Sequence, residues 1–169
     1  LFNGMQSSLA MVYDREMGLM RLLLTAPLPR WWLLFAKLSA TALLSVLQVL
    51  AFVIVAALLG TVLPFEGWAV LHGLVATVAA ALMLASLGLL LSVYIKQLEN
   101  FAGTMNFVIF PMYFLSTALY PLWKLEESGA TWVYRVAQVN PFTHAVEWIR
   151  FALYGKDPGL APFVVLGTL

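Results

Sequence analysis

The sequence predicts an all-α fold, a polytopic bundle of transmembrane helices, and two observations carry that prediction. Residues 38–65, 67–95 and 100–123 contain no Asp, Glu, Lys or Arg, and each run exceeds the ~20 apolar residues with which a helix crosses a ~30 Å hydrocarbon core. The whole chain is 63% hydrophobic and only 10% charged, far from the roughly 25% charged residues of a soluble domain. A net charge of +1 provides no basic field for nucleic acid. The absence of cysteine excludes disulfides, thiolate metal sites and Cys nucleophiles.

Residues 1–13 are mildly apolar with small side chains and read as the end of a span. The chain opens at Leu1 and stops within the apolar run 161–169, which reads as a fragment of a longer chain. Residues 14–29 read as a segment outside the membrane, with Asp14, Arg15, Glu16 and Arg21 falling within its first eight positions. With Met17, Met20 and Leu24 opposing Asp14, Gly18 and Arg21, residues 14–21 predict a short amphipathic helix stopped by Pro27 and Pro29. Arg30, Trp31, Trp32 and Lys37 supply the cations and indoles of a headgroup boundary.

The first complete span is expected over 32–62, and Pro64 and Glu66 mark the turn after it. A second follows over 68–94, where Ala69, Gly73, Thr77, Ala81 and Ala85 recur every four residues and form a stripe suited to close helix approach. Residues 96–100 are a tight polar connection. The third span, 101–120, contains Pro111, which removes one backbone bond and predicts a kink near residues 107–111. Across 121–154 charged and aromatic residues mix and no run is clean enough to span. Residues 131–139 fit a short helix, and Asn140-Pro141 starts another, with Asn as cap and Pro at the first position. On that helix Phe142, Ala145, Val146, Ile149 and Leu153 share one face; Thr143, Glu147, Arg150 and Tyr154 share the other, a pattern expected at the membrane interface. Residues 155–158 turn into a last, truncated span, 160–169.

Charge also suggests an orientation. Residues 61–73 contain no Lys or Arg, whereas Arg30, Lys37 and Lys96 lie at the opposite span ends, so the latter side is expected to face the cytoplasm. Residues 121–154 are then external, against the sense of Lys124, Arg135 and Arg150.

Intramembrane catalysis and ion coupling leave ionisable residues inside spans. Here the spans hold only His72, near an end. No nucleophile elbow, zinc-protease helix or phosphate-cradling glycine loop is present, and Asp14 has no second intramembrane Asp with which to share a proton. His72 and His144 lack a His or carboxylate at ligand spacing. The expectation is therefore no catalytic residue, no metal and no resident cofactor.

Two stretches carry a family resemblance. Asp14-Arg15-Glu16-Met17-Gly18, then Leu22-Leu23-Leu24-Thr25-Ala26-Pro27, resembles the cytoplasmic segment of ABC-2 type transporter permeases. Phe114-Leu115-Ser116, Tyr120-Pro121-Leu122 and Asn140-Pro141-Phe142-Thr143-His144-Ala145-Val146-Glu147-Trp148-Ile149-Arg150 is similar to that family's second signature, in the same order. Where the family often has Thr-Leu-Glu this chain has Leu19-Met20-Arg21, and Thr117 stands where Gly is common. The resemblance implies a six-span permease half whose N-terminal spans and most of the last span lie outside this sequence. It also implies a bacterial inner (cytoplasmic) membrane location, export, a second permease subunit in a homo- or heterodimer, and an ABC ATP-binding subunit that binds ATP and Mg.

Each candidate site has two readings at this stage. Asp14, Arg15, Glu16, Gly18 and Arg21 are either an ATPase-coupling helix or a solvated connector. Asn106, Phe110, Tyr113 and Thr117, with Gly103, line either the export path or a helix contact. Asn140, Pro141, His144, Glu147 and Arg150 form either an external gate hairpin or an interfacial helix with an i, i+3 ion pair. Gln48 reads as an interhelical hydrogen-bonding residue. The rival to an ATP-driven exporter is an ATP-independent membrane protein, either a secondary carrier or a scaffold subunit.

Overall fold

The computed structural model describes residues 2–20, 25, 29–60, 67–95, 97–121, 124, 129, 131–155 and 161–168. Every regular element among them is a helix: α1 (Phe2–Glu16), α2 (Arg30–Leu58), α3 (Gly67–Tyr94), α4 (Leu98–Phe114), α5 (Thr131–Val139), α6 (Pro141–Tyr154) and α7 (Ala161–Gly167). Two of these, over Trp31–Leu58 and Gly67–Tyr94, are long and apolar enough to cross a membrane.

α2 starts at Pro29, whose backbone is extended (φ −66°, ψ 142°) and whose missing N–H is no loss at a helix start. It ends where Leu59 N donates to Val55 O and Gly60 N donates to Ala57 O, with Gly60 in the left-handed region at φ +76°, a common helix stop. Lys37, Ser45 and Gln48 of α2 bond α1, while the rest of its surface is apolar, with Phe52 and Leu58 72% and 82% exposed. In a membrane such a surface meets lipid or other spans.

α3 is the hub, packing against α1, α2, α6 and α7. Its buried residues are mostly small, among them Ala76, Thr77, Ala79, Ala80, Ala81, Ala85 and Gly88. Small side chains let backbones approach closely, which replaces the hydrophobic driving force that lipid cannot supply. The closest approach is to α1: a Cβ on Gly4 would stand 2.9 Å from Ala85 N, and one on Gly88 would stand 2.9 Å from Ser8 Oγ. The stripe read from the sequence is therefore buried in its lower part, at Thr77, Ala81 and Ala85. Near its start, Gly73 faces Leu153 of α6.

Two apolar clusters follow from this arrangement. One joins Ala76, Ala80 and Met83 of α3 to Ala145 and Trp148 of α6 and to Ala161 and Val165 of α7. The other joins Val12 of α1 to Phe101 and Ile109 of α4. α4 is thus anchored on α1 at Phe101 and Ile109, while α6 and α7 are built onto α3.

α4 differs from the span expected over 101–120. It stops at Phe114 because other groups capture its last carbonyls: Asn140 Nδ2 donates to Met112 O at 2.7 Å, and Ser116 Oγ donates to Tyr113 O at 2.6 Å. Ser116 Oγ also accepts from Ala118 N, and a serine that bonds its own backbone in this way competes with helix continuation. Pro111 lies inside α4, leaving Phe107 O without its usual i+4 donor.

Candidate functional site

The charged end of the bundle is assembled from three helices. No helix breaker precedes Glu16, so Asp14, Arg15 and Glu16 complete α1 rather than forming a separate amphipathic helix. The break comes at Gly18, with φ +73°, after Met17 N donates to Tyr13 O; helix resumes at Leu19 and Met20. Arg21 lies outside the described residues. Asp14 Oδ2 accepts from Lys37 Nζ of α2 at 2.6 Å, with both side chains about one-fifth exposed. Arg15 Nη1 donates to Ser92 O of α3 at 3.0 Å. These two charges tie α1 inward. Glu16, Met17, Gly18 and Leu19 are exposed, with Met17 62% exposed, and form a protruding edge just past the ties.

Neither Lys37 nor Ser92 is predictable as a partner from the sequence, since a side chain 23 positions away and a bare carbonyl leave no local signal. Gln48 was legible: Asn3 Nδ2 donates to its Oε1 at 2.7 Å, joining α1 to α2.

At the opposite end α5 and α6 make a helical hairpin. Asn140 sits at its turn, where Oδ1 accepts from Phe142 N at 3.0 Å, capping α6, while its amide holds Met112 of α4. Pro141 occupies the first turn and Gly155 closes the helix at φ +65°. His144 Nε2 contacts Gln138 O at 2.7 Å, fastening α6 to the end of α5. Glu147 and Arg150 form an i, i+3 ion pair, and Arg150 Nη2 also donates to Thr117 O at 2.9 Å. α6 packs into the bundle through Thr143, Ala145, Trp148 and Ala152, all of them buried. Trp148, unassigned in the sequence reading, is a core residue between α3 and α7.

Asn140 therefore does two jobs. Asn140→Ala removes a helix cap, worth about 0.5–2 kcal/mol, and the hydrogen bond to Met112 O, worth about 1 kcal/mol net. The expected result is a loss of about 1.5–3 kcal/mol, read as a lowered Tm in detergent. Asn140→Asp keeps the cap acceptor but not the donor, and should recover only part of it.

The proposed path residues separate. Gly103, Asn106, Phe110 and Tyr113 are exposed on α4, and Phe110 stacks on Phe114 at 6.3 Å. Thr117 does not share that face: it follows the end of the helix and is fully buried. Among the described residues no group of three or more His, Cys, Asp or Glu is placed to hold a metal ion.

Two helices long and apolar enough to cross a membrane, with an ion pair towards each end of the bundle, fit a polytopic membrane protein. The ABC-2 type transporter family matches residues 1–154, and the chain belongs to that family. It is 30% identical over 158 residues to "Putative transport permease ycf38" of Porphyra purpurea, covering 92% of this chain and 53% of that one. The protein of the same name from Cyanophora paradoxa is 32% identical over 162 residues, covering 93% and 52%; that of Pyropia yezoensis is 29% identical over 155, covering 89% and 50%. The chain thus spans about half the length of the curated relatives it matches. No solved structure matches it.

Proposed function

We propose that this chain is the pathway-forming part of a permease subunit in an ATP-driven exporter, working as a dimer in a bacterial cytoplasmic membrane with a separate ATPase that binds ATP and Mg. The observation that carries the reading is the division of charge at the end of α1. Asp14 and Arg15 are drawn in to α2 and α3, and the residues that follow, Glu16, Met17, Gly18 and Leu19, are exposed. A solvated connector has no need of the first pair. A lever has: force applied to the protruding edge reaches both long spans through the ties. The chemistry of hydrolysis belongs to the partner, and the permease contributes a docking edge, the path along α4 and the gate hairpin.

The test is co-purification of the full-length permease with ABC ATPases of its own organism, followed by ATP hydrolysis across amphipathic drugs, lipid-linked glycans and other hydrophobic compounds. Stimulation by one class identifies the cargo, and an ATPase that never co-purifies overturns the reading. Orientation is read separately. Single cysteines at Glu99 and Trp132 should label from opposite sides with an impermeant maleimide.

A further inference from the structure

α6 is buried on two opposite sides, and the two contacts are of different kinds. Ala145, Trp148 and Ala152 stand at i, i+3 and i+7, and the first two belong to the apolar cluster shared with α3 and α7. Thr143, Glu147 and Arg150 stand at i, i+4 and i+7 on the other side. From there Arg150 reaches Thr117 in the turn after α4. That second contact has little close helix packing: α4 and α6 are not among the pairs that meet extensively. The regions are joined by Arg150 to Thr117 O, Asn140 to Met112 O and the Tyr113–Phe142 ring pair at 6.3 Å, with Met112 as the α4 side chain that reaches the apolar cluster.

The polar groups in the same region are incompletely satisfied. Thr117 Oγ1 and Thr143 Oγ1 are buried and have no hydrogen-bond partner, and both residues are 0% exposed. Unpaired buried hydroxyls are unfavourable, so water entering between α4 and α6 would give them partners. Nothing comparable awaits it in the Ala145–Trp148 cluster, which is apolar. The two sides of α6 are therefore unequal: one is welded, the other is latched.

We infer that Arg150 is a positioning residue that latches the turn after α4 to α6, and that the α4–α6 seam is where the outer end of this permease opens, α6 moving as one body with α3 and α7. The inference rests on the permease reading for its purpose, and on the hydrogen bonds for its location. α4 is anchored on α1 through Val12, Phe101 and Ile109, and α1 ends in Asp14 and Arg15. Displacement of the charged end therefore reaches both α4, through Val12, and the α3–α6–α7 block, through Arg15 and Ser92 O, and the seam is where those two bodies can part. The guanidinium suits a latch because its fork serves Glu147 and Thr117 O at once, and both bonds exchange readily for water.

The test introduces cysteine at Thr143 or Ala145 in the full-length permease after replacing any native cysteine, and measures labelling by an impermeant maleimide from the outer face, without ATPase or substrate. With Arg150 present, both positions should label slowly. With Arg150→Gln, labelling of the Thr143→Cys protein should rise at least tenfold while the Ala145→Cys protein stays slow, and Arg150→Lys, which keeps a single donor, should fall between. Unchanged labelling at 143 overturns the latch. Equal increases at 143 and 145 also overturn it, because Arg150 would then hold the whole hairpin rather than one seam. Both results are independent of ATPase binding, so a failed latch and a failed exporter reading are told apart.

Discussion

Gly4→Leu is expected to leave the chain unable to assemble its bundle, with little folded protein recovered in detergent. A Cβ at Gly4 would lie 2.9 Å from Ala85 N, Leu84 C and Leu84 Cβ. Two of those three atoms are backbone, so no rotamer change relieves the contact and α1 must move away from α3. That movement pulls on every tie α1 makes: Asn3 to Gln48, Asp14 to Lys37 and Arg15 to Ser92 O. Overpacking a core by a few methylenes costs about 1–3 kcal/mol, and here a whole interface shifts. Gly4→Ala should already lower the Tm clearly. Gly103→Leu is the control, because nothing lies within 4 Å of its Cβ position and leucine is the better helix former by just under 1 kcal/mol. Equal melting of the Gly4→Leu and Gly103→Leu proteins would refute the close crossing.

What the sequence made legible was the part governed by local physics. The long apolar helices follow from charge-free runs, and the start of α6 follows from Asn140-Pro141, where Oδ1 caps Phe142 N as the residue types require. The small-residue stripe marked α3 as a contact helix, although its partner Gly4 lies some 80 positions away with no signal of its own. The end of α4 was illegible for a related reason. Its run stays apolar past Phe114; the local contribution is a single serine, Ser116 on Tyr113 O, and the rest comes from tertiary donors, Asn140 on Met112 O and Arg150 on Thr117 O. At the charged end the clue was present but differently weighted. Gly18 is a helix-stop signal, and it makes Asp14 to Glu16 the tail of α1 rather than the middle of a separate helix. The inward partners of Asp14 and Arg15 come from α2 and α3, and no spacing rule within 14–21 could have named them.

That division sets the largest functional effect expected, at Gly18. Its φ of +73° with nothing within 4 Å of a built Cβ separates conformation from collision: a larger residue there strikes nothing in the chain, yet pays the left-handed penalty of about 1–2 kcal/mol. Gly18→Val should therefore leave membrane insertion and bundle stability intact while reorienting Met17 and Leu19. If this edge seats on an ATPase, binding should weaken by tenfold or more, since about 1.4 kcal/mol corresponds to a factor of ten, and substrate-stimulated ATP hydrolysis and transport should fall with it. Gly18→Asn, which tolerates the left-handed region, should retain most of both. Glu16→Lys probes the same edge by charge. An exposed pair is worth ~0–1 kcal/mol, whereas a charge desolvated in an interface is worth ~2–5 kcal/mol when its partner is lost, so reversal should abolish coupling only if Glu16 is covered by the partner. Lys37→Ala completes the set from the inner side: it leaves the edge unaltered and removes a tie to α2, so ATPase binding should persist while transport declines. Normal ATPase binding and export in both Gly18→Val and Glu16→Lys would reduce residues 14–20 to a connector and remove the mechanical basis of the exporter reading.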